Sequence, residues 1–116
     1  MFSKNTTLTT IIGESSILTG DLVTKQSARI DGIITGNVTT GSAITVSTSG
    51  EVEGDLTCLT GKVTIEGKVI GNVTAEYVKI TATGLITGRL IAQNLIIEDG
   101  AIINSTIKMN KEENKD

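Results

Sequence analysis

The sequence predicts an all-β fold: a single-stranded right-handed β-helix, or solenoid, of about six turns with a tail at each end. Three observations lead there. A phrase, Gly-x-apolar-x-Gly-x-apolar, recurs about every 17 residues. Within it, apolar and polar residues alternate at a period of two, the period of a strand and not of a helix. The composition (Gly 13, Pro 0, aromatic 2%) replaces aromatic core residues with glycine and β-branched side chains, the formers of corners and strands.

The chain divides into a flexible N-terminal tail (1–10), a repeat region (11–107) and a disordered polar C-terminal tail (108–116). The copies of the phrase are SILTGDL from Ser16, GIITGNV from Gly32, GEVEGDL from Gly50, GKVIGNV from Gly67, GLITGRL from Gly84 and GAIINST from Gly100. Their starts lie 16, 18, 17, 17 and 16 residues apart. Counted from each first residue, the third is Leu18, Ile34, Val52, Val69, Ile86 and Ile102. The seventh is Leu22, Val38, Leu56, Val73 and Leu90, and the ninth is Thr24, Thr40, Cys58, Ala75 and Ala92. Alternate residues share a strand face, so these columns point inward. The sixth (Asp21, Asn37, Asp55, Asn72, Arg89) and the eighth (Val23, Thr39, Thr57, Thr74, Ile91) face water. The second glycine of each phrase makes a corner that needs φ > 0, with Asn104 standing in for it in the last copy.

A further apolar segment precedes each phrase: Ile11 and Ile12, Ala28 and Ile30, Ile44 and Val46, Val63 and Ile65, Val78 and Ile80, Leu95 and Ile97. Its variable distance to the glycine absorbs the drift in spacing. Three short strands per turn then build a triangular prism. Left-handed hexapeptide helices keep a strict multiple of six, so the drift favours a less regular solenoid over that class; the hand itself does not follow from the spacing.

The ends are the candidate functional sites. A solenoid needs caps, and an uncapped turn leaves free N–H and C=O groups that template another strand. No helix is predicted at either end. The apolar residues of the end turns (Ile11, Ile12, Leu18 and Leu22 at one end, Ile102, Ile103 and Ile107 at the other) are therefore expected to meet those of another copy. The competing reading is a monomer capped by its worn end turns and tails. In the N-terminal tail, Phe2 reads from the residues alone as an idle terminal residue; the alternative is that Phe2 and Lys4 pair one aromatic wedge with one cation, a weak membrane contact that a polymer would multiply by avidity.

Other chemistries are poorly served. The net charge of -3 gives no basic patch for nucleic acid. With His 0, the zinc site and the general base of related β-helical enzymes are missing. No phosphate-cradling glycine loop occurs, so no nucleotide is expected. Glu51, Glu53 and Asp55 read as a solvated face, and Cys58 as a buried, inert thiol. A single broken threonine column (Thr39, Thr57, Thr74) is thin support for ice binding. No apolar run reaches a membrane span, and MFSKNTTLTT has no apolar signal core. The expectation is a cytoplasmic protein with no cofactor and no catalysis. A non-catalytic β-helical binding module, ice-binding or hexapeptide-like, is the alternative.

The phrase with its GNV at Gly36 and Gly71 and its GDL at Gly20 and Gly54, the six turns and the short polar tails resemble the bactofilins, bacterial polymer-forming cytoskeletal proteins. The opening MFSK is similar to a short membrane-targeting peptide found in many of them. The resemblance implies a right-handed β-helix and a homopolymer assembled end to end without nucleotide. It also implies a location on the inner face of the cell membrane, with cell-wall or shape proteins as clients. An aromatic near the C-terminal end is a polymer contact in some members. This chain has none after Tyr77, so Ile102, Ile103 and Ile107 would take that role.

Overall fold

The computed structural model describes residues 9–109. Its regular elements are thirteen strands: β1 Thr9–Ile12, β2 Ile17–Thr19, β3 Leu22–Thr24, β4 Ser27–Ile30, β5 Ile33–Thr35, β6 Val38–Thr40, β7 Ala43–Val46, β8 Glu51–Glu53, β9 Leu56–Ile65, β10 Lys68–Ile70, β11 Val73–Ile80, β12 Leu85–Ile97 and β13 Ile102–Met109. All pairings are parallel. Parallel neighbours need a long crossover. Here the crossover is the rest of the turn, and the chain is a parallel β-solenoid with three faces and six rungs on each.

The first face stacks β2, β5, β8, β10 and the starts of β12 and β13. The second stacks β3, β6, the start of β9, the start of β11, the middle of β12 and the end of β13. The third stacks β1, β4, β7 and the ends of β9, β11 and β12. Between them run the inward columns. Ile34, Val52, Val69 and Ile86 are fully buried, as are Val38, Leu56, Val73 and Leu90, and Ile30, Val46, Ile65 and Ile80. The interior is one side chain deep from each face, which suits branched aliphatics and leaves no room for rings. Thr40, Cys58, Ala75 and Ala92 form the small buried column.

The corner inside the phrase is the fixed part of every turn. From Leu18 to Leu22, Ile34 to Val38, Val52 to Leu56, Val69 to Val73, Ile86 to Leu90 and Ile103 to Ile107 the path is the same length. Gly20, Gly36, Gly54, Gly71 and Gly88 hold it with φ of 126–154°. A Cβ on Gly36, Gly54, Gly71 or Gly88 would overlap the carbonyl of the glycine one turn earlier. Glycine is thus required twice, by conformation and by contact.

The residue after that glycine completes the corner. The Asp21 carboxylate accepts the backbone N–H of Asn37 at 3.0 Å, and the Asn37 amide oxygen accepts that of Asp55 at 3.0 Å. Asp55 accepts Asn72 N–H at 3.1 Å, and Asn72 accepts Arg89 N–H at 3.3 Å. These side chains are not merely solvated: they form a ladder that satisfies one main-chain donor per turn. It stops at Arg89, which has donors only.

The other two corners take up the drift. Between the second and third faces the inward residues are Ala75 and Val78 in a short turn but Cys58 and Val63 in the longest, where the register shifts. Between the third and first faces, short corners at Asp31–Gly32 and Glu66–Gly67 alternate with longer ones. The longer corners close by Gly50 N–H to Ser47 O at 2.8 Å and Gly84 N–H to Thr81 O at 2.9 Å. Hydroxyls of the longer corners donate to carbonyls beneath: Ser49 to Asp31 O at 2.8 Å and Thr83 to Glu66 O at 2.7 Å. The Ser47 hydroxyl also bonds the Asp31 carboxylate and, with Arg29 Nε at 3.1 Å, holds its pKa below the usual value.

Two sequence expectations need correction. Leu85 pairs with Ile102 and Ile86 with Ile103, so the last copy begins at Ala101, not Gly100. Ile102 points outward and is 56% exposed, while Ile103 packs on the core. Ser105, without positive φ, holds the place given to Asn104. A one-residue slip of register exchanges the two faces of a strand. Likewise Ile11 pairs with Arg29 and is 61% exposed, so Thr10 and Ile12 hold the inward positions of β1.

The corner geometry makes a graded prediction. Gly20 shares the φ of its column, but none of the described residues lies within 4 Å of its Cβ position. Gly20→Ala should cost only the strain of its backbone, about 1–3 kcal/mol. Gly71→Ala adds a backbone collision and should cost at least about 3 kcal/mol. Denaturant midpoints of the two variants compare them directly; equal losses would contradict the stacking argument.

Candidate assembly surfaces

The two ends are where the stack is interrupted. At the N-terminal end, Ile12, Leu18 and Leu22 continue the three columns and are only partly covered. At the C-terminal end, β13 extends the first two faces while the last rung of the third belongs to β12. Leu95 and Ile97 therefore end the two inward columns of the third face, Ile103 ends that of the first and Ile107 a column of the second. Ile107 is 39% exposed, against 0% for Leu90 one turn below. The difference is the missing next turn and not the residue type. Met109 extends the small column beyond Ala92 and is likewise exposed.

Of the predicted end residues, the fold brings Ile12, Leu18 and Leu22 together on one end and Ile103 and Ile107 on the other. It turns Ile11 and Ile102 to the sides of the prism. Sequence reading missed Met109, and it assigned Leu95 and Ile97 to the core without seeing that they are the last members of their columns among the described residues. Continuing each column to its last member would have found all three. Phe2 and Lys4, and 110–116 of the polar tail, lie outside the described residues.

Among the described residues no group of His, Cys, Asp or Glu could hold a metal ion, and there is no pocket. Glu51 and Glu53 point outward on β8, whereas Asp55 belongs to the corner ladder. No helix is long and apolar enough to cross a membrane. Cys58 is fully buried with its Sγ 3.5 Å from Ser42 O. Tyr77 is exposed on the third face.

A regular parallel stack with open apolar ends belongs to the solenoid proteins that work through surfaces rather than clefts. The bactofilin family model, described as polymer-forming cytoskeletal, matches residues 10–108. The crystal structure of a point mutant of bactofilin from Thermus thermophilus is 33% identical, with a TM-score of 0.70, over 78% of this chain and 99% of that one. No curated protein matches the chain in sequence. The chain belongs to the bactofilin family and is a polymer-forming cytoskeletal protein.

The buried thiol supplies a test of core integrity. Cys58 should react with a thiol reagent such as DTNB only once the chain is unfolded. Rapid labelling in native buffer would mean that the small column is open to solvent.

Proposed function

We propose that this chain assembles end to end, without nucleotide, into filaments on the cytoplasmic face of the membrane, where it scaffolds cell-shape or cell-wall machinery. The observation that carries the reading is the end columns, whose last described residues are only partly covered. An aliphatic side chain contributes about 1.5–3 kcal/mol when fully covered, and the end residues are only partly covered. A second copy stacked on the end would cover them and pair the edge groups of β1, β2 and β3 at one end or of β13 and the end of β12 at the other. No ligand is needed to drive such a contact, which fits the absence of a phosphate-binding motif. The family's description as polymer-forming supports self-association, and its structural character supports a non-enzymatic role.

The membrane part rests on the N-terminal tail. One Phe contributes about 2 kcal/mol at a lipid surface, too little to hold a monomer. Copies linked in a filament bind together, so the same weak contact suffices. Clients would be recruited along the outward faces.

Charge in an end column separates assembly from folding. Leu18→Lys and Ile107→Lys should leave a folded monomer that no longer pellets at high speed, because an unpaired ammonium cannot be buried at the joint. Ile102→Lys, on the outward side, should still pellet. If Leu18→Lys and Ile107→Lys filaments form normally, the end contact is wrong. For the tail, Phe2→Arg should keep filaments but release them from anionic vesicles in flotation. Loss of the filaments themselves would place Phe2 in the assembly contact instead.

A further inference from the structure

The sides of the prism are as ordered as its core. On the first face, the leading outward column runs Ile17, Ile33, Glu51, Lys68, Leu85 and Ile102 from the first rung to the last. Register makes these six vertical neighbours. The order is apolar, apolar, acidic, basic, apolar, apolar. Ile17 and Ile102 are exposed, and the four between them are half-buried. In character the column reads the same from either end, except that the charge reverses across its midpoint. Among the described residues, neither Glu51 nor Lys68 is taken up in an ion pair; the pairs are Arg29–Asp31 and Lys79–Glu98.

We infer that the first face is a lateral contact between two antiparallel copies of this chain. A two-fold axis along the strands, midway between Glu51 and Lys68, carries the first rung onto the last and keeps each column on itself. Ile17 then meets Ile102 of the second copy, Ile33 meets Leu85, and Glu51 meets Lys68. Each contact is made twice, as an isologous interface requires. Parallel copies in register would set Glu51 on Glu51 and Lys68 on Lys68, so charge selects the antiparallel arrangement. The second outward column of the face, Thr19, Thr35, Glu53, Ile70, Thr87 and Asn104, brings Thr35 against Thr87. Its one poor match is Glu53 against Ile70.

Size sets the regime in which the contact acts. Three residues by six rungs is about 10 Å by 29 Å, or roughly 300 Å² per copy. A stable pair of proteins buries about 800 Å² per partner. The face is too small to dimerise free monomers, but a filament repeats it at every copy and the contacts add by avidity. The contact therefore joins filaments, and it rests on the filament assembly proposed above.

Sedimentation of the purified full chain separates the two levels. High speed collects single filaments; low speed collects only bundles, with electron microscopy to count filaments per bundle. Wild type should pellet at both speeds. Glu51→Lys alone and Lys68→Glu alone should keep the high-speed pellet and lose at least about five-fold of the low-speed one, because each sets like charges face to face. Mixing preformed filaments of the two variants, or combining both substitutions in one chain, should restore bundling. Single variants that bundle like wild type, or no rescue in either arrangement with circular dichroism unchanged, would overturn the pairing. Wild-type filaments that stay single, and that lose anionic vesicles on Ile33→Lys, would overturn it too and assign the face to the membrane. Loss of the wild-type high-speed pellet would sink the filament reading, and the pairing with it.

Discussion

At one corner of the second to fifth turns, a glycine carbonyl of the turn before occupies the space where the glycine would carry its Cβ. That approach sets how closely the turns stack, and it requires each turn to follow the last along the same path. Equal paths put like residues above like. The columns of Val, Ile and Leu, the small column around Cys58 and the Asx ladder from Asp21 to Asn72 all follow from this repeated corner. A side chain there would spread the turns and lengthen the main-chain bonds on all three faces. The other two corners have no such constraint, and the insertions sit there.

A stack of this kind has no internal reason to stop. The bonds that hold one turn to the next are the same bonds that would hold one copy to the next. Gly20 shows this most directly: it has the backbone of its column but, among the described residues, nothing beneath it. At the opposite end Ile103, Ile107 and Met109 continue their columns past the last covered rung. These ends and the prism sides are the surfaces on which the proposed assembly relies. The sides are not uniform: the leading outward column of the first face begins and ends with Ile17 and Ile102, while the outward column of the second runs Val23, Thr39, Thr57, Thr74, Ile91 and Lys108.

Much of the fold was legible in the sequence because the glycine phrase is both the chemical marker and the geometric anchor. Matching phrase to phrase gave the inward columns of the middle turns without error. It failed where the marker decays. In the last turn Gly100 looks like the counterpart of Gly84, yet it belongs to the preceding bend with φ of 100°, and Ala101 takes the register position. Ile102 and Ile103 are both apolar, so hydrophobicity could not correct the slip. The same holds for Ile11 and Ile12. The Asx ladder was read as a solvated row, since a side chain's bond to the main chain of another turn depends on the corner path and leaves no periodic apolar trace. Of the proposed end contacts, Leu18 and Leu22 were legible as column ends, while Ile12, Ile103 and Ile107 were legible only as apolar residues of the end turns. The offset between faces, which leaves Leu95 and Ile97 uncovered, follows only from where the chain starts and finishes its spiral.

The central claim is that copies join by continuing the stack. X-ray diffraction from aligned filaments tests it most directly, because the strand spacing of about 4.8 Å then lies along the filament axis. The account predicts a sharp meridional reflection at that spacing, continuous across the joints between copies. An equatorial reflection at that spacing would mean that copies join through their sides, and the end-to-end account would be contradicted.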